Sequence, residues 1–382
     1  MTDTVTPESP PVQQDTGFGR LRLAAWLSFI AEVLIIGTGG AVRLTGSGLG
    51  CSEWPLCTPE SLVPILEIQG VHGAIEFGNR TMTGVVGLLA LAVLMLTLRA
   101  ISGRRVVVRA VWFALGGIVL AIGVYAGASA VGLPPAALMS ATLLLAVLAG
   151  AVDSLRRTTR RRDLAVLAWV VLVGVMAQAV VGGLAVISEL NPFIVGFHYA
   201  SSLALVCVTA LFLVRMNQRP GPREAAVPRW FAILTHLTGA ALAMTIVVGV
   251  FTTGSGPHSG DADIRRTGFD ATVLAHVHSW PGYILAALVL VLAVSAWMLR
   301  LPVRTWLLVL IVAVLVQVLV GVVQARTGLP ALLVGIHMVL ASLSAAAYTV
   351  VATGLRRARR GAVGPDGLIT TPPSGTAARP ER

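Results

Sequence analysis

The sequence contains no lysine: all 28 of its Lys and Arg positions are arginine, and only 12% of its 382 residues are charged. A soluble domain of ordinary composition carries about 25% charged residues, so a water-facing surface over the whole chain is excluded. Cysteine is scarce too, at three residues, which leaves no room for a cysteine-rich scaffold. No Asp-x-x-x-Asp pair is present, and with it goes the usual diphosphate–magnesium site of a polyprenyltransferase. The net charge of +11 does not point to nucleic acid. The arginines gather at 104–109, 156–162, 215–229, 300–304 and 356–360, in alternate loops, as the positive-inside rule requires.

What the sequence has is apolar length. Hydrophobic residues make up 56% of the chain, in runs of about 20 residues, the length of helix that crosses a bilayer. Ten spans are predicted at 22–42, 80–99, 106–126, 133–153, 163–187, 195–215, 229–251, 273–299, 302–323 and 331–353. The polar stretch before Leu23 is too long and too acidic for a signal peptide, so the first run is read as a retained helix. With both termini in the cytoplasm, every arginine cluster falls inside. Two long loops, 43–79 and 252–272, then face out. Residues 1–20 and 356–382 read as disordered tails, and 216–228 as a cytoplasmic linker.

The chain repeats itself. Thr45-Gly-Ser-Gly48 after the first span matches Thr253-Gly-Ser-Gly256 after the seventh. Gln178-Ala-Val-Val-Gly182 and Val195-Gly-Phe-His198 match Gln317-Val-Leu-Val-Gly321 and Val334-Gly-Ile-His337, with 20 residues from Gln to His in both copies. Such equal spacing marks a duplication. From His278 to His337 is 59 residues, whereas Asn79 to His198 is 119. The excess of 60 is one inserted helical hairpin at about 101–160. The expected fold is therefore an all-α polytopic membrane protein of two pseudo-symmetric four-helix bundles, 21–215 and 229–355, plus that hairpin.

Ionisable residues in membrane spans are costly and default to functional hypotheses. His198, His278 and His337 each lie about one turn inside the outer end of a span, and Asn79 opens its own. Equal depth on facing helices suits a flat cofactor gripped between two of them, and imidazole is an ordinary axial ligand of haem iron. A zinc site would want three or four converging ligands, and the repeat supplies two separated pairs instead. Glu76 shares a helical face with Asn79, where a carboxylate could move protons, and His72 lies one turn further out. Glu32 is a second acid within a span, with no evident partner. Cys51 and Cys57 form either a disulfide or a redox pair in the first outer loop, and Cys207 is a buried thiol. Arg80, Arg265, Arg266 and Arg326 are outer-side candidates for pairing with carboxylates of a bound cofactor.

The segments Val42-Arg-Leu-Thr-Gly-Ser-Gly-Leu-Gly-Cys51, Trp54-Pro-Leu-Cys57 and Glu76-Phe-Gly-Asn-Arg80, with Thr253-Gly-Ser-Gly-Pro-His258 in the second half, resemble the signature segments of haem A synthases. The resemblance runs from about 22 to 355, apart from the insertion. It implies an inner-membrane oxidoreductase that oxidises the C8 methyl of haem O to a formyl, giving haem A for terminal oxidase assembly. It implies a haem b cofactor, with its iron, on His278 and His337, and haem O in the N-terminal half with His198 and Glu76. The four candidate arginines would then meet propionates. The implied partners are an electron acceptor, the prenyltransferase that makes haem O, and the lipid bilayer that takes the farnesyl tail. Where the family pattern has histidine, this sequence has Asn79. Single ligation by His198 is expected, since His72, the substitute, is two turns away. A dihaem electron carrier would use the same histidines without a reactive carboxylate; a transporter would place its site at the midplane.

Overall fold

The computed structural model describes residues 16–258, 260 and 266–359. Among them are ten helices long and apolar enough to cross a membrane: α1 (Thr16–Leu44), α2 (Leu66–Ser102), α3 (Arg104–Ala130), α4 (Pro135–Arg157), α5 (Arg162–Ile187), α6 (Pro192–Met216), α7 (Arg229–Ser255), α8 (Ala271–Met298), α9 (Arg304–Arg326) and α10 (Ala331–Gly354). Trp112, Val119, Trp280, Met298 and Leu319 stand exposed on outer faces, as lipid rather than water would demand of them.

Helices α1, α2, α5 and α6 form one group and α7 to α10 the other, as the repeat predicts. The inserted hairpin is α3 and α4. The two pack on each other where Gly117 lets Ala146 in, since a Cβ at 117 would lie 2.3 Å from the alanine methyl. They reach the first group along α2 and α5. Between the groups, α10 lies against α1 and α6. Ile36, Leu203, Val206, Ala210 and Ala346 are buried together there, and Gly37 and Gly40 admit Val339 and Met338. Small residues at a crossing let membrane helices approach closely, where apolar transfer supplies no force.

Three boundaries differ from the sequence reading. Helix α1 starts at Thr16, so residues 16–20 belong to it and not to a tail; residues 1–15 and 360–382 lie outside the described residues. Arg356–Ala358, assigned to the other tail, is a strand (β2) paired antiparallel with Arg223–Ala225 (β1) of the linker. Arg357 Nε donates to Glu224 Oε1 at 3.0 Å beside it. Helix α2 begins at Leu66, well before the expected 80, and bends at Gly70, where φ is +57°. Glu67, Gln69, His72 and Glu76 dilute the hydropathy of that outer extension, and contacts with the preceding loop hold it.

Candidate functional site

Helices α1, α2, α5 and α6 open around a cavity of about 370 Å³, within the range of small-molecule sites. Glu76 and Asn79 of α2, His198 of α6 and Arg43 of α1 line it. Glu32 also lines it, about 16 Å deeper than Arg43 at the rise of an α-helix. The walls between these polar points are apolar, with Ile35, Ile36, Val175 and Leu205 among them. The first half thus offers an elongated apolar slot with polar groups at its ends.

The loop between α1 and α2 closes one end. Cys51 and Cys57 are joined as a disulfide and both are fully buried. Gly50 lies so close to α2 that a Cβ there would sit 2.4 Å from the His72 carbonyl oxygen. That approach brings the Cys51 N–H to Glu76, donating to Oε2 at 2.6 Å. Arg80 donates to the other carboxylate oxygen through Nε (3.2 Å) and Nη2 (2.5 Å). Its remaining N–H groups go to the carbonyls of Glu53 (2.9 Å), Leu56 (2.7 Å) and Cys51 (2.8 Å). All five guanidinium donors are therefore engaged. Arg80, expected to meet a ligand carboxylate, instead ties the disulfide loop to Glu76. Trp54 from the same loop packs on α5 at Gly183, where a Cβ would stand 2.3 Å from its ring, and lines the cavity.

His72 does not line the cavity. Its Nδ1 is 2.8 Å from Ser47 Oγ, which in turn is 2.7 Å from Thr45 Oγ1, so the first Thr-Gly-Ser-Gly motif holds this ring outside. Asn79 accepts a hydrogen bond from Thr38 Oγ1 (2.8 Å) and faces Gly39. Of the other arginines, Arg266 and Arg326 are exposed, and Arg265 lies outside the described residues.

The repeated Gln-x-x-x-Gly blocks have a physical purpose. The Gln178 side-chain amide reaches α6, within hydrogen-bond distance of His198 Nδ1 (2.5 Å), of the His198 backbone oxygen (3.2 Å) and of Ser201 Oγ (2.6 Å). In the other half, Gln317 Nε2 donates to the His337 carbonyl at 3.0 Å. One turn on, Gly182 and Gly321 leave space for those rings; a Cβ would stand 3.4 Å from His198 Cε1 and 3.1 Å from His337 Cε1. On α7, Gly249 does the same for His278, at 2.8 Å.

His278 and His337 face each other with ring centroids 6.2 Å apart. Two metal–nitrogen bonds of about 2 Å, each with about 1.1 Å from nitrogen to ring centre, span about the same distance. Nδ1 of each ring is buried with no hydrogen-bond partner among the described residues, an arrangement costly unless a ligand accounts for it. Among the described residues no group of three or more His, Cys, Asp or Glu is placed to hold a metal ion. The pair fits axial ligation of a planar metal cofactor. Gly249→Ala is expected to weaken cofactor retention about tenfold, in the range for residues that orient a ligating histidine. The ratio of cofactor absorbance to protein absorbance in the purified variant measures this, with Gly182→Ala, at a normal contact distance, expected to leave that ratio unchanged.

Two cavity residues had no role assigned from sequence. Glu32, lacking a partner on paper, has Thr209 Oγ1 at 2.8 Å from both carboxylate oxygens, across from α6. Arg43 sits in the first-loop motif without a signal of its own beyond the motif.

A family model described as COX15-CtaA, cytochrome oxidase assembly protein, matches residues 136–349, more than half of the chain. That stretch holds His198, His278 and His337 with both Gln-x-x-x-Gly blocks, and stops short of Glu76, Asn79 and the disulfide. A haem A synthase of Exiguobacterium sibiricum is 40% identical over 82 residues, 21% of this chain and 26% of that protein. A haem A synthase of Bacillus licheniformis is 35% identical over 80 residues, 21% and 25% of the two chains. A protohaem IX farnesyltransferase of Thermus thermophilus is 36% identical over 84 residues, 22% of this chain and 13% of that protein. The chain spans about a quarter of the length of the haem A synthases it matches.

Proposed function

Since this chain belongs to the COX15-CtaA family of cytochrome oxidase assembly proteins, we propose that it is a haem A synthase, an oxidoreductase that converts the C8 methyl of haem O to a formyl. The observation that carries the reading is the pairing of two unlike sites in one duplicated fold. One is a cavity lined by a single histidine, His198, with Glu76 and Asn79. The other is the His278–His337 pair at the spacing of two axial ligands. A reaction that alters one haem while another passes electrons needs this inequality.

The second site is assigned to haem b, which when bound would supply one-electron transfer. The chain's own contribution there is to hold two imidazoles, with Gly249 and Gly321 making room for the rings and Gln317 bracing the helix turn of His337. In the first half, haem O is the substrate, with His198 as its sole histidine ligand and its prenyl tail along the apolar slot or out to lipid. Replacing two C–H bonds of a methyl by a C=O, with the oxygen taken from water and four electrons passed to an acceptor, releases four protons, and Glu76 is the cavity carboxylate placed to receive them or to stabilise positive charge developing beside it. The Cys51–Cys57 loop, tied down through Arg80, keeps this end covered. The arginine distribution assigns both termini to the cytoplasmic side, and the family reading assigns the protein to the inner membrane. An electron acceptor and the haem O-forming prenyltransferase complete the reaction's surroundings.

The reading is tested by extracting haems from cells that make this protein together with a haem O source, and resolving them by mass. Haem A is expected to appear only when the protein is present. Haem O left unconverted beside folded, haem b-loaded protein would overturn the assignment in favour of electron transfer alone.

A further inference from the structure

Arg43 is charged, 9% exposed, and lines the first-half cavity. Its Nε donates to the carbonyl of His258, at 2.9 Å, in the outer loop of the other half. Among the described residues no carboxylate lies within ion-pair distance of its guanidinium. The nearby carboxylate, Glu76, is instead occupied by Arg80 and the Cys51 N–H. A buried cation without a counter-charge is costly, and burial of this kind is stable when an anion joins it. Arginine suits that role, since it stays charged and presents paired N–H groups that match a carboxylate.

Its surroundings fix it in place. His258, whose carbonyl takes Nε, is itself anchored by Nε2 to the carbonyl of Leu329, at 2.7 Å, before α10. Gly260 follows and both lines the cavity and accepts a hydrogen bond from Gly48 N–H at 3.3 Å. Beside it, Tyr199 of α6 donates its hydroxyl to the carbonyl of Met338 on α10, at 3.0 Å. The guanidinium is thus held from the second half, and its other N–H groups, with no partner among the described residues, remain for the cavity of the first.

We propose that Arg43 is the carboxylate-binding residue of this cavity, taking a propionate-type acid group of a tetrapyrrole substrate. The proposal rests on the reading of the cavity as a tetrapyrrole site and assigns the polar end of that substrate to the Arg43 side. Arg43 is a specificity residue on this account, and His258 positions it through its backbone.

The test uses the full-length protein, its second site loaded with haem b, titrated with fluorescent zinc protoporphyrin IX and with its dimethyl ester. Wild type is expected to bind the diacid 10- to 100-fold more tightly than the ester. Arg43→Gln is expected to lose that preference by weakening the diacid alone, while Arg43→Lys keeps most of it. Unchanged ester binding shows that the variant still folds around its cavity. Equal binding of acid and ester by wild type would overturn the proposal, as would a loss in Arg43→Gln that falls alike on both. Binding of neither porphyrin by wild type would overturn it together with the tetrapyrrole reading. A diacid preference that depends on Arg43, in a protein yielding no haem A, would leave the proposal standing and remove only the synthase reading.

Discussion

Glu76→Gln is expected to lower haem A formation at least 100-fold while leaving the protein folded and its second-site haem in place. Positioned acid–base groups contribute about 10²- to 10⁴-fold to rates, and Glu76 is the acid that lines the cavity's covered end. Its carboxylate has a second task, since both oxygens hold the loop, through the Cys51 N–H and Arg80. Glutamine keeps the shape and one acceptor oxygen but cannot balance the Arg80 charge, so some loosening of residues 51–57 is expected with it. The two roles separate in the measurements. Conversion of haem O is followed by mass analysis of extracted haems, and porphyrin binding by titration. If Glu76 works on the substrate, conversion falls and binding persists. Conversion and binding lost in parallel would reduce Glu76 to a structural brace of the loop.

The other large effect is expected at the second site. His278→Ala and His337→Ala should each abolish the resident haem, seen as loss of the Soret band per mole of purified protein. Each residue is half-buried, has a buried Nδ1 with no partner among the described residues, and is given room by a glycine on the neighbouring helix. On that assignment, removing one imidazole would take away one of the two histidines that hold the haem and leave a void the size of the ring, so retention through the remaining histidine should not survive purification. His198→Ala, in the other half, is expected to keep that band. Unchanged haem content in both second-half variants would contradict the assignment of the site.

The helices were legible in the sequence because membrane spans announce themselves by apolar length, and the duplication because Gln178, Gly182 and His198 recur at fixed spacing as Gln317, Gly321 and His337. What those residues do for one another was not legible. The reach of a glutamine to a histidine backbone on the next helix, or the space left by a missing Cβ, depends on how helices are set against each other. The same holds for Arg80. Its place beside Glu76 on one helix face could be read from spacing, but its other partners, the carbonyls of Cys51, Glu53 and Leu56, come from a loop whose path only tertiary structure fixes. Hydropathy gave no sign of the outer turns of α2, which are polar, nor of the short pairing of Arg223–Ala225 with Arg356–Ala358, where side-chain alternation is too brief to register. Arg43 lay inside a recognised motif, yet nothing in one dimension distinguishes a buried cation from the interfacial arginine that commonly ends a membrane helix.

The part that Gly260 and Met338 of the second half take in lining the first half's pocket bears on the history of the molecule. A single four-helix unit of this design would lack that part of its lining, which a second unit beside it in the membrane could supply. Such an ancestor would have been a self-associating protein whose competence depended on its abundance. Joining two copies in one polypeptide turns that encounter into a tethered one, with a fixed and high local concentration. It also ends the equivalence of the partners, since each copy could then drift toward a different task without disturbing its own double. The unlike contents of the two halves, one histidine and an asparagine lining the cavity of the first and two histidines facing each other in the second, are what that release from symmetry permits.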